Sequence, residues 1–177
     1  MIVKTFFNVV IPHLKEFPSN KLLRIDEKNI RDVVLKKLNL RNENQLRDKF
    51  EGVQYYDKFL KIVGAKVSIF KILNLDSSYN KDINEINSTT NIKIFNREFK
   101  LNVFEFGELP MIYDYDDDII FVLRKDKLTF LICGYCEKEF LVEYSIPFIH
   151  HNADLTARTY INFKEIKSIL NLEIFKS

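Results

Sequence analysis

Asp118-Ile119-Ile120-Phe121-Val122-Leu123-Arg124 places five consecutive apolar side chains between an acid and a base. Successive side chains of a strand point to opposite faces, so an unbroken apolar run of this length describes a central strand buried on both faces. Working outward, Arg124-Lys125-Asp126-Lys127 reads as a turn, and Leu128 to Cys133 as a partner strand. Glu137 to Leu141 reads as a helical turn and Tyr144 to Ile149 as an extended segment. Phe163 to Leu172 reads as a closing amphipathic helix with Ile166, Ile169 and Leu170 inward. Upstream, Asn91 to Phe106 reads as a hairpin. Ile92 and Ile94 alternate with polar residues, Asn96-Arg97 supplies a turn, and Phe99, Leu101 and Val103 alternate again. Glu98, Lys100 and Asn102 then share the opposite face. The consecutive apolar pair Val103-Phe104 calls for a bulge or a switch in exposure.

The first half reads as helical. Asp26 is an N-cap candidate, and Ile30, Val33, Val34, Leu35 and Leu38 recur at helical spacing. Asn39 to Asn44 is a polar break. A second helix is expected from about Glu43 to Val63, with Leu46, Phe50, Val53, Leu60 and Val63 as its apolar stripe and Gly64 as its stop. Val67 to Leu75, partly β-branched, reads as the first strand, and Asp76 to Asn91 as a long polar loop that is functional or holds a short helix. The fold class expected is α+β, with N-terminal helices packed on a mixed, mainly antiparallel sheet. One domain over residues 1–177 is expected, helical over about 1–64 and sheet-rich over about 65–177.

Composition sets limits. The hydrophobic fraction is 46% over 177 residues, enough for a self-sufficient core. Lys plus Arg is 27 against 25 Asp plus Glu, a net charge of +2, which argues against attachment to nucleic acid by bulk charge and leaves room for a local basic face. Two cysteines are too few for a disulfide framework. The apolar start at Met1 to Val10 is short and is followed by Pro12, His13, Lys15 and Glu16, so it reads as a strand or helix of the mature fold rather than a signal peptide. No run is long and apolar enough for a membrane span. These features point to a cytoplasmic location and no membrane partner.

Candidate chemistry is sparse. Cys133-Gly134-Tyr135-Cys136 follows a strand, as a redox pair does, and with His150 and His151 it offers zinc donors. The competing reading is a buried strand cysteine plus an incidental second one. Asp114, Asp116, Asp117 and Asp118 stand at the entrance to the buried strand. They can bind Mg²⁺, or they form a solvated turn that stops strand extension. His150-His151 is a general-base or pH-switch candidate without an obvious nucleophile nearby, and a surface turn is the plainer reading. Phosphate-binding glycine loops, nucleophile elbows and zincin helices are absent from the sequence, which excludes P-loop, serine-hydrolase and zincin chemistry.

The segments Asp118 to Arg124, Leu131 to Leu141 and Arg158-Thr159-Tyr160-Ile161-Asn162-Phe163 with Glu165 and Ile166, together with Arg47 to Val53 and Phe59-Leu60, resemble the restriction-endonuclease-like (PD-(D/E)xK) nuclease superfamily of phage and type II restriction proteins. The resemblance spans roughly residues 43 to 170 and implies a restriction-endonuclease-like core. It also implies an Asp heading one hairpin strand and an acidic-x-Lys in the next, holding Mg²⁺ to activate water and clamp phosphate. In the most natural register Asn91 takes the Asp position, and Lys100 and Asn102 take the acidic and Lys positions, so no carboxylate is left to bind metal. The acidic residue of the family's first helix falls on Tyr56. A second register offers Glu98-Phe99-Lys100 as a literal Glu-x-Lys. Asp82 or Glu85 would then supply the other carboxylate, making Asp82, Glu98 and Lys100 catalytic and Asp82 and Glu98 the metal ligands. Glu-x-Lys is also a common exposed cross-strand pair.

Two functional classes follow. In the first the chain is a nuclease-like DNA-binding domain, a Mg²⁺-dependent endonuclease of restriction, phage or defence type, with Lys93, Arg97, Arg124, Lys125 and Lys127 on phosphates and steep salt dependence. In the second it is a catalytically inactive interaction or assembly subunit, a homodimer or bound to another protein, with Tyr55, Tyr56, Tyr113 and Tyr115 as aromatic anchors.

Overall fold

The computed structural model describes residues 4–75, 89–147 and 157–176. The order of elements begins with α1 (Phe6–Val9), a 3-10 turn (Ile11–His13) and the short strand β1 (Ser19–Lys21). The helices α2 (Arg24–Lys37), α3 (Glu43–Asp48) and α4 (Gly52–Ile72) follow. Then come β2 (Asn91–Ile94), β3 (Arg97–Glu105), β4 (Met111–Ile112), β5 (Ile119–Arg124) and β6 (Thr129–Cys136). The single turn α5 (Lys138–Leu141), β7 (Ser145–Pro147), β8 (Arg158–Tyr160) and a 3-10 helix (Ile169–Lys176) complete it. The fold is α+β. Its larger sheet is mixed, in the order β1-β6-β5-β3-β2, with β3 and β5 parallel and the other neighbours antiparallel. A second, antiparallel sheet has the order β4-β8-β7.

All six residues of β5 are buried, as its apolar run requires. Ile120 and Val122 enter a core shared with α2, α3 and α4, whereas Ile119, Phe121 and Leu123 enter a second core with Phe6, Leu141, Tyr160 and Phe163. The sheet is therefore covered on both faces, by helices on one side and by α1, α5 and the small sheet on the other. The same division explains Val103-Phe104. Strand β3 continues to Glu105 without a break, and the two side chains face different cores.

The helical half needs four corrections. Helix α2 starts at Arg24, and Asp26 sits in its first turn, accepting the Leu23 N–H at 2.8 Å in place of capping from outside. The expected 43–63 helix is two helices, split at Lys49–Glu51 where Glu51 adopts φ 58°, and the break leaves Phe50 exposed. Val67 to Leu75 is not a strand. Helix α4 runs through it, buried on almost every side from Phe59 to Ile69, and a helix buried all round loses the periodicity that distinguishes it from a buried strand. Gly64 does not stop the helix. A Cβ there would stand 2.6 Å from the Phe130 ring, so its missing side chain lets α4 lie against β6. The stop is Asn74, at φ 48°, with Leu75 N–H donating to Phe70 O at 2.9 Å. Asn39, at φ 54°, ends α2 the same way.

In the sheet, the hairpin turn is Phe95-Asn96, both at positive φ, one residue earlier than read from sequence. That is the twist-matched two-residue turn of a β-hairpin. Strand β1 has no apolar alternation and carries no sequence signal. The closing helix is 3-10 and shorter than expected, with Ile169 and Leu172 buried and Leu170 exposed. Among the described residues no helix is long and apolar enough to cross a membrane.

Candidate functional site

Strand β3 presents Glu98, Lys100 and Asn102 on one face, and hairpin register places Lys93 opposite Glu98 and Asn91 opposite Lys100. The loop from β4 to β5 folds back over this face. Lys100 Nζ lies 2.7 Å from Asp114 Oδ2 and 3.8 Å from Asp117 Oδ2. The Lys100 ammonium and the Asp116 N–H hold the Asp114 carboxyl below the usual carboxylate range. Asn102 Nδ2 donates to Met111 O at 2.6 Å, tying β3 to the small sheet. Lys100, Asn102 and Asp114 line a cavity of about 350 Å³ with an otherwise mainly apolar wall. A neighbouring cleft of about 250 Å³ is lined by Asn91, Lys93, Glu98 and Asp117. The acidic run thus meets the Glu98–Lys100 face, a juxtaposition between segments about fifteen residues apart that spacing alone does not reveal.

Asp82 and Glu85, the upstream carboxylates of the second register, lie outside the described residues, as do His150 and His151. Among the described residues no group of three or more His, Cys, Asp or Glu is placed to hold a metal ion. In the natural register the two carboxylate positions that would hold Mg²⁺ fall on Asn91 and Lys100, the Lys position falls on Asn102, and the Lys100 ammonium is already paired with Asp114. A cation beside a second cation does not fit, so these residues do not suit the metal that the resemblance implies. Tyr56 lies on α4 in a separate cleft against α2 and α3, away from Lys100.

The phosphate-contact candidates divide into two groups. Lys93 and Lys125 are exposed. Lys127 is exposed as well and pairs with Glu27 at 3.0 Å. Arg97 donates to Asp118 at 2.7 Å and to Glu137 at 3.1 Å, and lies 5.2 Å over Phe99 and 5.5 Å over Tyr135. Burial lowers its pKa, but the two carboxylates outweigh that and raise it. Arg124 is 5% exposed and donates to Asp57 at 2.6 and 3.1 Å, with Glu105 at 3.5 Å. Its charge is committed inside the fold, between α4 and the ends of β3 and β5. This Asp57–Arg124–Glu105 cluster, joined by Lys61 at 3.0 Å from Glu105, had no signal in the sequence beyond the i,i+4 pair Asp57 and Lys61.

Cys133 and Cys136 are free thiols on β6. Burial pushes the Cys133 thiol up strongly, and burial pushes Cys136 up to about 11. Neither has the depressed pKa of a reactive pair. The interval between them holds a β-bulge. Phe121 pairs with Gly134 and Val122 with Ile132, and Gly134 at φ 134° lets Lys167 O approach closer than any side chain would allow. No protein-family model, no curated protein and no solved structure matches the chain.

Proposed function

We propose that this chain is a nuclease-like α+β domain that does not cleave, and that it works as a protein-interaction or assembly subunit. The observation that carries the reading is Lys100. It stands where the restriction-endonuclease-like signature needs a carboxylate, faces Asn91 across the hairpin, and is neutralised by Asp114. Two of the five cations expected to touch phosphate, Arg97 and Arg124, are engaged by carboxylates of the fold itself, which removes much of a DNA-binding face. The test is cleavage of plasmid and linear DNA in Mg²⁺ and in Mn²⁺, beside EDTA and a Glu98→Ala/Lys100→Ala double variant. No metal-dependent cutting is expected from either protein.

A second reading has one observation in its favour. Glu98 and Asp117 line the same cleft, and Lys100 is within reach of Asp117. Under it the chain is a Mg²⁺-dependent endonuclease using Glu98 and Lys100. Metal-dependent cutting by the wild type that disappears in the double variant would overturn the non-cleaving reading and establish this one. DNA affinity is the companion measurement. A steep fall with salt supports a DNA partner, and a stable oligomer with no such binding supports a protein partner.

A further inference from the structure

Strand β3 is longer than its hairpin partner. Pairing with β2 runs from Arg97 to Lys100, whereas pairing with β5 continues to Glu105. The amides of Lys100 and Phe106 donate toward β5, to Asp118 O at 2.8 Å and Arg124 O at 3.1 Å. The Leu101 amide donates the other way, to Thr90 O at 2.7 Å. Alternate residues of a strand turn their N–H and C=O groups to opposite edges. Val103 and Glu105 therefore face the same edge as Leu101, and among the described residues no strand lies beside them there. The Glu105 carbonyl accepts the Glu108 N–H at 3.1 Å. Open ladder positions remain at the Val103 N–H, the Val103 C=O and the Glu105 N–H. The cavity of about 350 Å³ lies along this edge. Ile62 of α4 walls it on the helical side of the sheet, and Leu109, Met111 and Ile112 wall it on the other. Tyr113, 66% exposed, stands at its mouth. Lys61 is neutralised there by Glu105 at 3.0 Å, and Lys100 faces two carboxylates, Asp114 at 2.7 Å and Asp117 at 3.8 Å. With the exposed Glu108 added, the uncompensated charge at the mouth is negative.

We propose that this slot takes an extended peptide segment of a partner protein, which adds to β3 in line with β2, sets an apolar side chain into the cavity and carries basic residues beside it. An open strand edge is a template for another main chain, and a pocket next to it selects alternate side chains. The open N–H and C=O groups of Val103 call for a main chain, the apolar walls call for an apolar side chain, and Glu108 and Asp117 call for flanking cations. The proposal rests on the reading of the chain as a non-cleaving interaction subunit, and it names the chemistry of the partner.

The test titrates the full chain into labelled peptides followed by fluorescence anisotropy. The probes are capped, lysine-flanked peptides that alternate threonine with valine, leucine or phenylalanine. Saturable binding of at least one is expected. N-methylating one alternate set of its amides should weaken binding about tenfold, and methylating the other set should not, because only one set faces β3. Glu108→Lys reverses charge at an exposed position and should weaken binding as well. Amide hydrogen exchange supplies a readout that needs no variant. In the free chain Val103 should exchange fast and Phe104 slowly, and bound peptide should slow Val103. No saturable binding by any of these peptides, equal affinity with and without methylation, or slow Val103 exchange in the free chain would overturn the slot. Metal-dependent DNA cutting by the same protein would overturn the interaction reading along with it, whereas no cutting and no peptide binding would overturn the slot alone.

Discussion

Asp57 and Arg124 show how a single contact reports on pH. The hydrogen bond from Arg124 lowers the Asp57 pKa, against burial that raises it. A carboxyl whose folded pKa lies below its unfolded value adds stability above the unfolded pKa and loses it as pH falls through the folded one. Wild-type stability should therefore drop on acidification below about pH 4 more steeply than that of Asp57→Asn, measured by urea melts across the acid range. Asp57 is 53% exposed, so the effect is modest at neutral pH, while Arg124 at 5% is the member whose burial makes the pair matter. Cys133 gives a second expectation. Its thiol is fully enclosed and held protonated, so iodoacetamide should modify it only under unfolding conditions, followed by mass spectrometry. Rapid alkylation of the native protein at Cys133 would contradict the enclosure.

At the scale of elements, α4 and the β2–β3 hairpin carry the clearest tests. Gly64→Ala gains helix propensity of about 1 kcal/mol but drives a methyl into the buried Phe130 ring, 2.6 Å away. Overpacking costs more than propensity returns, so a net loss of about 1–2 kcal/mol in denaturant melts is expected. An unchanged or raised midpoint would mean that α4 does not lie against β6. Asn96 sits at φ 69° in the hairpin turn, where β-branched residues fit poorly. Asn96→Val should cost about 1–3 kcal/mol and Asn96→Gly very little. Asn39 and Asn74 end α2 and α4, and only Asn39 opens a polar break in the sequence reading. Glycine is the commoner helix stop, but at Gly64 its value is the close approach of α4 to Phe130.

Across the whole molecule, β3, β5 and β6 each feed both cores, and β5 does so with every residue buried. Phe121 is fully buried and stacks on Tyr160 at a 4.4 Å centroid distance, tying the large sheet to β8 of the small one. Phe121→Ala should cost about 3–5 kcal/mol by equilibrium unfolding, and Phe121→Leu much less. Because Ile120 and Val122 face the helical core while Phe121 faces the other, the described parts should lose secondary and tertiary signals together, with far- and near-UV transitions coinciding. Separate transitions would show that the two cores fold independently.

The class of fold, the doubly buried strand at Ile119 to Leu123, the hairpin before it and the helical character of the first half, though not its helix bounds, are legible in the sequence. Each of these rests on local periodicity, and local periodicity is written in consecutive residues. The sequence also exposed the missing carboxylates of the natural register, because Asn91, Lys100 and Asn102 are on the page as letters. It did not distinguish helix from strand over Val67 to Ile72, since a segment buried on all sides has no polar face to mark its period. That Asp114 pairs with Lys100, that Arg97 and Arg124 are held by Asp118, Glu137, Asp57 and Glu105, and that the buried Tyr56 hydroxyl has no partner among the described residues follow from the tertiary structure alone. Those facts depend on which segments meet in space, and the order of letters along the chain does not record who meets whom.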